Sequence, residues 1–155
     1  MFIRKKAVQL LLLNWCKLMH YIIITGVYNL GMKIIEDFLK QCDGFMVVTN
    51  NHPFPAARPF GIAMAQNDKL YLCTNKEKDV YKQIVNDNHL QIVGKKINSR
   101  EWIRVNALAK PYDNMDLKIE MFKQYPLLKS IYDNPQNPLF VLLELDIKDY
   151  EIVNG

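Results

Sequence analysis

Ile34, Ile35, Phe38, Leu39 and Cys42 recur at intervals of three and four, with Glu36, Asp37 and Lys40 between them, and predict an amphipathic helix over residues 33–42. Gly44 follows as its stop. Residues 45–49 form a short run of strand-favouring side chains, and residues 50–55, with two prolines, read as a loop. Residues 56–65 and 70–74 flank Gln66, Asn67, Asp68 and Lys69, the composition of a tight antiparallel connection, so the two runs are expected to form one hairpin. Helical spacing returns over 77–86 through Val80, Tyr81, Ile84 and Val85, and alternation resumes at Leu90, Gln91 and Ile92. Over 102–110, Ile103, Val105, Ala107 and Ala109 share one face, and Trp102, Arg104, Asn106, Leu108 and Lys110 share the other. Asp113 and Asp116 mark a helix start continued by Met115, Ile119 and Phe122, and Pro126 opens a second short helix ending near Tyr132. Residues 140–147 alternate again, placing Val141, Leu143, Leu145 and Ile147 together. About six strands and three or four helices result, without the strict βαβ rhythm of a doubly wound sheet. The predicted class is α+β, mainly β.

Composition sharpens this picture in two places. The chain has 155 residues, 50% of them apolar and 23% charged, enough for one ordinary core and too few for two. The formal charge of +4 is confined to residues 1–31, which hold Arg4, Lys5, Lys6 and Lys17 and no acid; the remaining 16 basic residues meet 16 acidic ones. A domain with no net charge and no basic face is not expected to bind nucleic acid. The leader carries two apolar runs, 10–13 and 21–24, interrupted by Lys17 and His20, and lacks both a spanning length and a small-residue cleavage site. Met32 is therefore expected to be the natural start of a domain spanning 32–155, with residues 1–31 an upstream extension; a membrane-associated segment ranks second. Cys16, Cys42 and Cys73 are odd in number and widely spaced, which fits a reducing cytoplasm better than a disulfide framework. His20, His52 and His89 are scattered, and no metal site is expected.

The glycines, at 26, 31, 44, 61, 94 and 155, form neither phosphate-binding loop, so a phosphate here must be held by side chains and strand ends. In a regular hairpin closed at 66–69, paired positions sum to roughly 133–135, which sets Arg58 opposite about residues 75–77. Arg58, Pro59, Phe60 and Gly61 would then lie beside Thr74, Asn75 and Lys76, with Lys78 at the start of the next helix. Planar donation from Arg, point charge from Lys, neutral donors from Thr and Asn, and helix N-terminal N–H groups suit a phosphate monoester. On these residues alone, a solvated hairpin end with ordinary surface charge is the competing reading.

Three ordered motifs, ARPFG at 57–61, KLYLCTNKEKDVYKQI at 69–84 and REWIRV at 100–105, resemble those of the pyridoxamine-5'-phosphate-oxidase-like split-barrel family, in particular its small nitroimidazole-resistance-protein-like branch. The resemblance spans about residues 33–147. It implies a six-stranded split β-barrel with peripheral helices, two copies packed face to face, and one flavin mononucleotide (FMN) in each of two clefts between subunits. By position it implies that Arg58, Thr74, Asn75 and Lys78 hold the phosphate and ribityl chain, that Pro59, Phe60 and Gly61 border the isoalloxazine, and that Trp102 approaches from a neighbouring strand, core packing being its equal alternative. Asp79 and Val80 stand where pyridoxamine phosphate oxidases carry basic residues, residues 50–55 are an atypical first loop, and those oxidases continue beyond the point where this chain ends at IVNG. Their own reaction is not expected. The expected function is FMN-dependent oxidation or reduction of a small molecule, with a non-catalytic flavin-binding or flavin-sensing module as the alternative; haem or a deazaflavin ranks third. No catalytic residue is assigned, and Cys73 stays open between a redox role and strand filling.

Overall fold

A computed structural model describes residues 30–155; of the leader only its last two residues are described, as the start of the first helix, and both readings of residues 1–29 lie outside the described residues. The first helix, α1, is described over residues 30–39 and lays Met32, Ile35, Phe38 and Leu39 on the core. Its buried stripe is turned by one position from the expectation: Ile34 is exposed, and Glu36, expected to face away, is only 2% exposed. Lys33 and Lys40 each donate to the Glu36 carboxylate, at 2.7 and 2.9 Å. These bonds, with the Ala65 backbone N–H beside them, hold the acid below its ordinary pKa although burial, the largest single influence, pushes the other way. A carboxylate bonded on both oxygens can be buried where an unpaired one cannot.

Seven strands follow: β1 (Phe45–Thr49), β2 (Ala56–Phe60), β3 (Met64–Gln66), β4 (Lys69–Asn75), β5 (His89–Lys95), β6 (Glu101–Tyr112) and β7 (Phe140–Asn154). The helix α2 (Asp79–Asn86) lies between β4 and β5, and α3 (Met115–Gln124) and α4 (Leu127–Tyr132) lie between β6 and β7. All neighbours are antiparallel in the order β2-β1-β5-β6-β7-β4-β3. The connection at 66–69 has the expected register, Gln66 opposite Lys69 and Met64 opposite Tyr71, but the pairing ends there. Residues 56–65 are two strands and not one, which raises the count from six to seven, and β2 turns away to pair with β1, setting Arg58 opposite Val47 and not opposite 75–77. The reason is burial parity. β1 buries Phe45, Val47 and Thr49, and β2 lays Phe60, Arg58 and Ala56 on that same side, with the Phe45 and Phe60 rings 6.4 Å apart.

Two apolar clusters result. One fills the barrel, where Val47, Leu72, Ile92, Ile103, Val105 and Leu143 meet α1 and α2. The other lies outside it, where Tyr71, Phe140 and Leu142 meet Met121 and Phe122 of α3 and Leu128 and Tyr132 of α4. β7 is therefore buried on both faces from Phe140 to Leu143, so alternation over 140–147 describes only half of its burial. The dry face of β6 is as expected, with Ile103, Val105, Ala107 and Ala109 buried. The cap of α3 is Asn114, whose side chain accepts from the Leu117 N–H at 3.0 Å; Asp113 instead meets Lys118 at 2.6 Å. Among the described residues, no helix is long and apolar enough to cross a membrane.

Candidate functional site

The sheet ends on one side at β2 and on the other at β3, which covers β4 only as far as Tyr71. The outer edge of β4 over residues 72–75, on the side away from β7, and the outer edge of β2 thus both lack a strand partner among the described residues. Between these edges lies a cavity of about 190 Å³. Its polar end holds Arg58, Thr74 and Lys78, and its floor runs along Pro59, Phe60 and Gly61. Ile62, Cys73, Leu128, Ile131 and Tyr132 form an apolar wall. Six of the eight expected residues therefore meet here, through the approach of two sheet edges and not through a hairpin.

Arg58 points to the barrel side of β2. Nη1 donates to Thr49 Oγ1 at 2.7 Å and makes a longer contact of 3.3 Å with Val47 O, while Nη2 donates to Gln83 Oε1 at 2.5 Å. Every acceptor is neutral. Arg58 forms no ion pair among the described residues, so its charge is not cancelled at the cavity. Burial draws the guanidinium below its ordinary pKa, with the charge of Asp79 acting in the opposite sense. An arginine stays protonated under either influence.

Lys78 is the N-cap of α2, is exposed, and makes no side-chain capping bond. Its placement depends on Asn75, whose Oδ1 accepts from the Glu77 N–H at 2.8 Å and whose carbonyl accepts from the Lys78 N–H at 3.1 Å. Asn75 shapes this turn and does not line the cavity. Trp102 also lies off it, on the outward face of β6, where the Arg104 guanidinium sits 5.6 Å from its ring centroid. Burial pushes the Cys73 thiol up to about 12 against the opposing charge of Lys78, and burial and then Cys73 push the Tyr132 phenol up to about 12. Neither is a low-pKa nucleophile or a near-neutral acid.

Thr49, Gln83, Ile62, Leu128, Ile131 and Tyr132 are the site residues that sequence reasoning missed. Thr49 was legible in principle, because strand parity puts it on the face of Arg58 once β1 and β2 pair. Gln83 on a short helix reads as a solvated residue until the tertiary contact is seen. Two larger hollows, of about 840 and 700 Å³, are more open surface grooves, one between residues 43–46 and 95–100 and one around residues 50–52 and the end of α2. Lys96 of the first is already paired with Glu101 at 2.8 Å. Lys95 and Arg100 of the first form no ion pair among the described residues, but neither groove has the apolar wall of α4 that faces Arg58. His52 lines the second groove, and His89 pairs with Asp87 at 2.7 Å; neither reaches the Arg58 cavity. No cluster of three metal-ligating side chains occurs among the described residues.

No family model and no curated protein matches the sequence. Solved structures do. A NimC/NimA family protein from Clostridium acetobutylicum is 28% identical, with a TM-score of 0.73 over 80% of this chain and 88% of that one. A structure described as a putative pyridoxamine 5'-phosphate oxidase from Listeria innocua is 17% identical, with a TM-score of 0.64 over 80% and 98%. A general stress FMN/FAD-binding protein from Xanthomonas citri is 15% identical, with a TM-score of 0.63 over 77% and 87%.

Proposed function

The chain has the split-barrel fold of the pyridoxamine-5'-phosphate-oxidase-like proteins, with NimC/NimA among its structural neighbours; from this we propose that it binds FMN in the gap between its two sheet edges and serves as an FMN-dependent oxidoreductase for a small molecule. The observation that carries the reading is an arginine charge without an acidic partner, aimed into a cavity with an apolar wall. Arg58 and Lys78 suit the phosphate, Thr74 and the first N–H groups of α2 suit its remaining oxygens, and the bare edge at 59–61 offers backbone groups and flat contact to a ring system. When bound, the flavin supplies the electron transfer. Leu128, Ile131 and Tyr132 keep water from one side of it.

The cavity of one protomer, about 190 Å³, is smaller than the roughly 300–1,000 Å³ of most cofactor pockets. A second wall is needed, and a second copy of the chain is the proposed source. The outward faces of β2, β1, β5 and β6 align Pro59, Met46, Val93, Lys95 and Trp102 in one surface that continues from the cavity floor. Face-to-face packing there completes the cleft and gives Trp102 a place at it. Cys42 and Cys73 are free thiols, in keeping with a cytoplasmic setting.

The freshly purified protein is expected to show the two-band visible absorption of an oxidised flavin, to release FMN on denaturation, and to scatter light as a dimer. A colourless protein that takes up no added FMN refutes the assignment. Among the described residues no histidine or carboxylate lines the cavity, which favours one second reading, a flavin-binding module without turnover. Reduction by a nicotinamide and reoxidation by nitro compounds or quinones distinguishes the two.

A further inference from the structure

A guanidinium has five N–H donors. In Arg58, Thr49 Oγ1 accepts one from Nη1 and Gln83 Oε1 accepts one from Nη2, while Thr49 Oγ1 donates to Gln83 Oε1 at 2.7 Å. Two acceptors so close together, one on each terminal nitrogen, occupy the edge between Nη1 and Nη2. Val47 O takes the outer Nη1 hydrogen. The donors left over are Nε–H and the second Nη2–H, the parallel pair on the other edge, which is the fork that grips two oxygens of one anion. Neither has an acceptor among the described residues. No fully buried side-chain nitrogen or oxygen there lacks a partner, so the unpartnered Nε is accessible, and Arg58 itself lines the cavity.

The two acceptors come from different elements. Thr49, on β1, is 2% exposed and shares the barrel-side face of Arg58; Gln83 is half-buried on α2 between the buried Val80 and Ile84. Both are neutral, so they orient the guanidinium without cancelling its charge, as a carboxylate at position 83 would. We propose that Thr49 and Gln83 are positioning residues, a clamp on the rear edge of Arg58 that presents its other edge to a phosphate monoester and makes the site distinguish phosphorylated from unphosphorylated ligands. The identity of the ligand rests on the flavin reading above; the clamp itself does not.

The test titrates the full-length wild type, Gln83→Met, Gln83→Glu and Thr49→Val with FMN and with riboflavin, which lacks the phosphate, and follows quenching of flavin fluorescence. Gln83→Met and Thr49→Val are each expected to weaken FMN binding about tenfold, and Gln83→Glu, which pairs with Arg58, by more, while riboflavin binding stays within about twofold. Equal losses for both ligands indicate a merely structural role and overturn the proposal, as does unchanged FMN affinity in all three variants. A wild type that binds neither flavin refutes the cofactor and not the clamp. The clamp is then read with inorganic phosphate at the Arg58 Nε–H resonance in ¹⁵N-labelled protein: a shift on phosphate addition that Gln83→Met abolishes supports it, and no shift in the wild type overturns it.

Discussion

Arg58→Ala separates the fold from the site. In the folded chain Arg58 donates to Thr49, Gln83 and, at longer range, Val47 O. Its removal leaves no orphan, because Thr49 Oγ1 and Gln83 Oε1 remain bonded to each other at 2.7 Å. The loss of stability is therefore about 1 kcal/mol or less, a fall in Tm of a few degrees. Binding is a different matter. The free edge offers two charge-assisted bonds, each worth about 1.5–3 kcal/mol where well enclosed. Discounted for the open side of the cavity, their joint loss is about 3 kcal/mol, or about a hundredfold in Kd for FMN. Arg58→Lys keeps the charge but not the fork and is expected to lose about tenfold. Fluorescence titration with FMN and thermal unfolding without it measure the two quantities separately. An Ala variant that holds FMN within threefold of wild type, or one that melts more than about 10 °C lower, refutes the reasoning: the first misplaces the phosphate, and the second makes Arg58 a part of the core.

Three further outcomes follow from the packing. Glu36→Gln weakens the bonds from Lys33 and Lys40 and is expected to cost about 1–2 kcal/mol after allowance for the exposure of both lysines. Because the folded-state pKa of Glu36 is lowered, its contribution is complete at neutral pH and is lost as pH falls through and below the ordinary carboxylate range, so the variant should flatten the acid limb of the stability curve; identical limbs in denaturant titrations would discount the burial of this acid. Gly94→Ala places a Cβ 3.1 Å from both Cys42 Sγ and Leu39 Cδ2, where α1 approaches β5, and should destabilise by about 1–2 kcal/mol; an unchanged midpoint in urea would show that the helix can shift freely. Cys73, with its thiol pushed up to about 12, should resist alkylation at pH 8 until the protein is unfolded, as read by peptide mapping; rapid labelling of the native protein would contradict the raised pKa.

Local patterns were legible wherever one side chain decides one face. The dry face of β6, the strand at 45–49 and the register of the turn at 66–69 follow from alternation and turn chemistry. The pairing of β2 did not, because the choice between β4 and β1 depends on which strand supplies the matching buried face, and Phe45, Val47 and Thr49 do so from an earlier part of the chain. The inversion of Ile34 and Glu36 has a similar cause. A carboxylate reads as solvated in any window of sequence, and only the two lysines folded over it and the backbone of β3 make its burial tolerable. The polar end of the candidate site was expected from residue types and the motifs, while the apolar wall on α4 was not, since Leu128, Ile131 and Tyr132 lie fifty or more residues further along the chain.

What holds the gap open also makes it a site. Two bare strand edges in one small sheet ordinarily pair with each other or with another chain. Here Pro59 has no N–H to give, and Arg58 directs a charge inward from the edge strand and is held back from β4 by Thr49 and Gln83. On the far side, Leu128 and Tyr132 of α4 and the start of α2 stand between the edges and belong to cores of their own. Each feature that prevents the barrel from zipping shut thus leaves one kind of contact unused: an uncancelled cation, unpaired backbone groups and an apolar wall. The ligand proposed for the gap carries an anion at one end and a flat, weakly polar body at the other, and that combination, more than the presence of an arginine, is the ground for proposing a phosphorylated ring system.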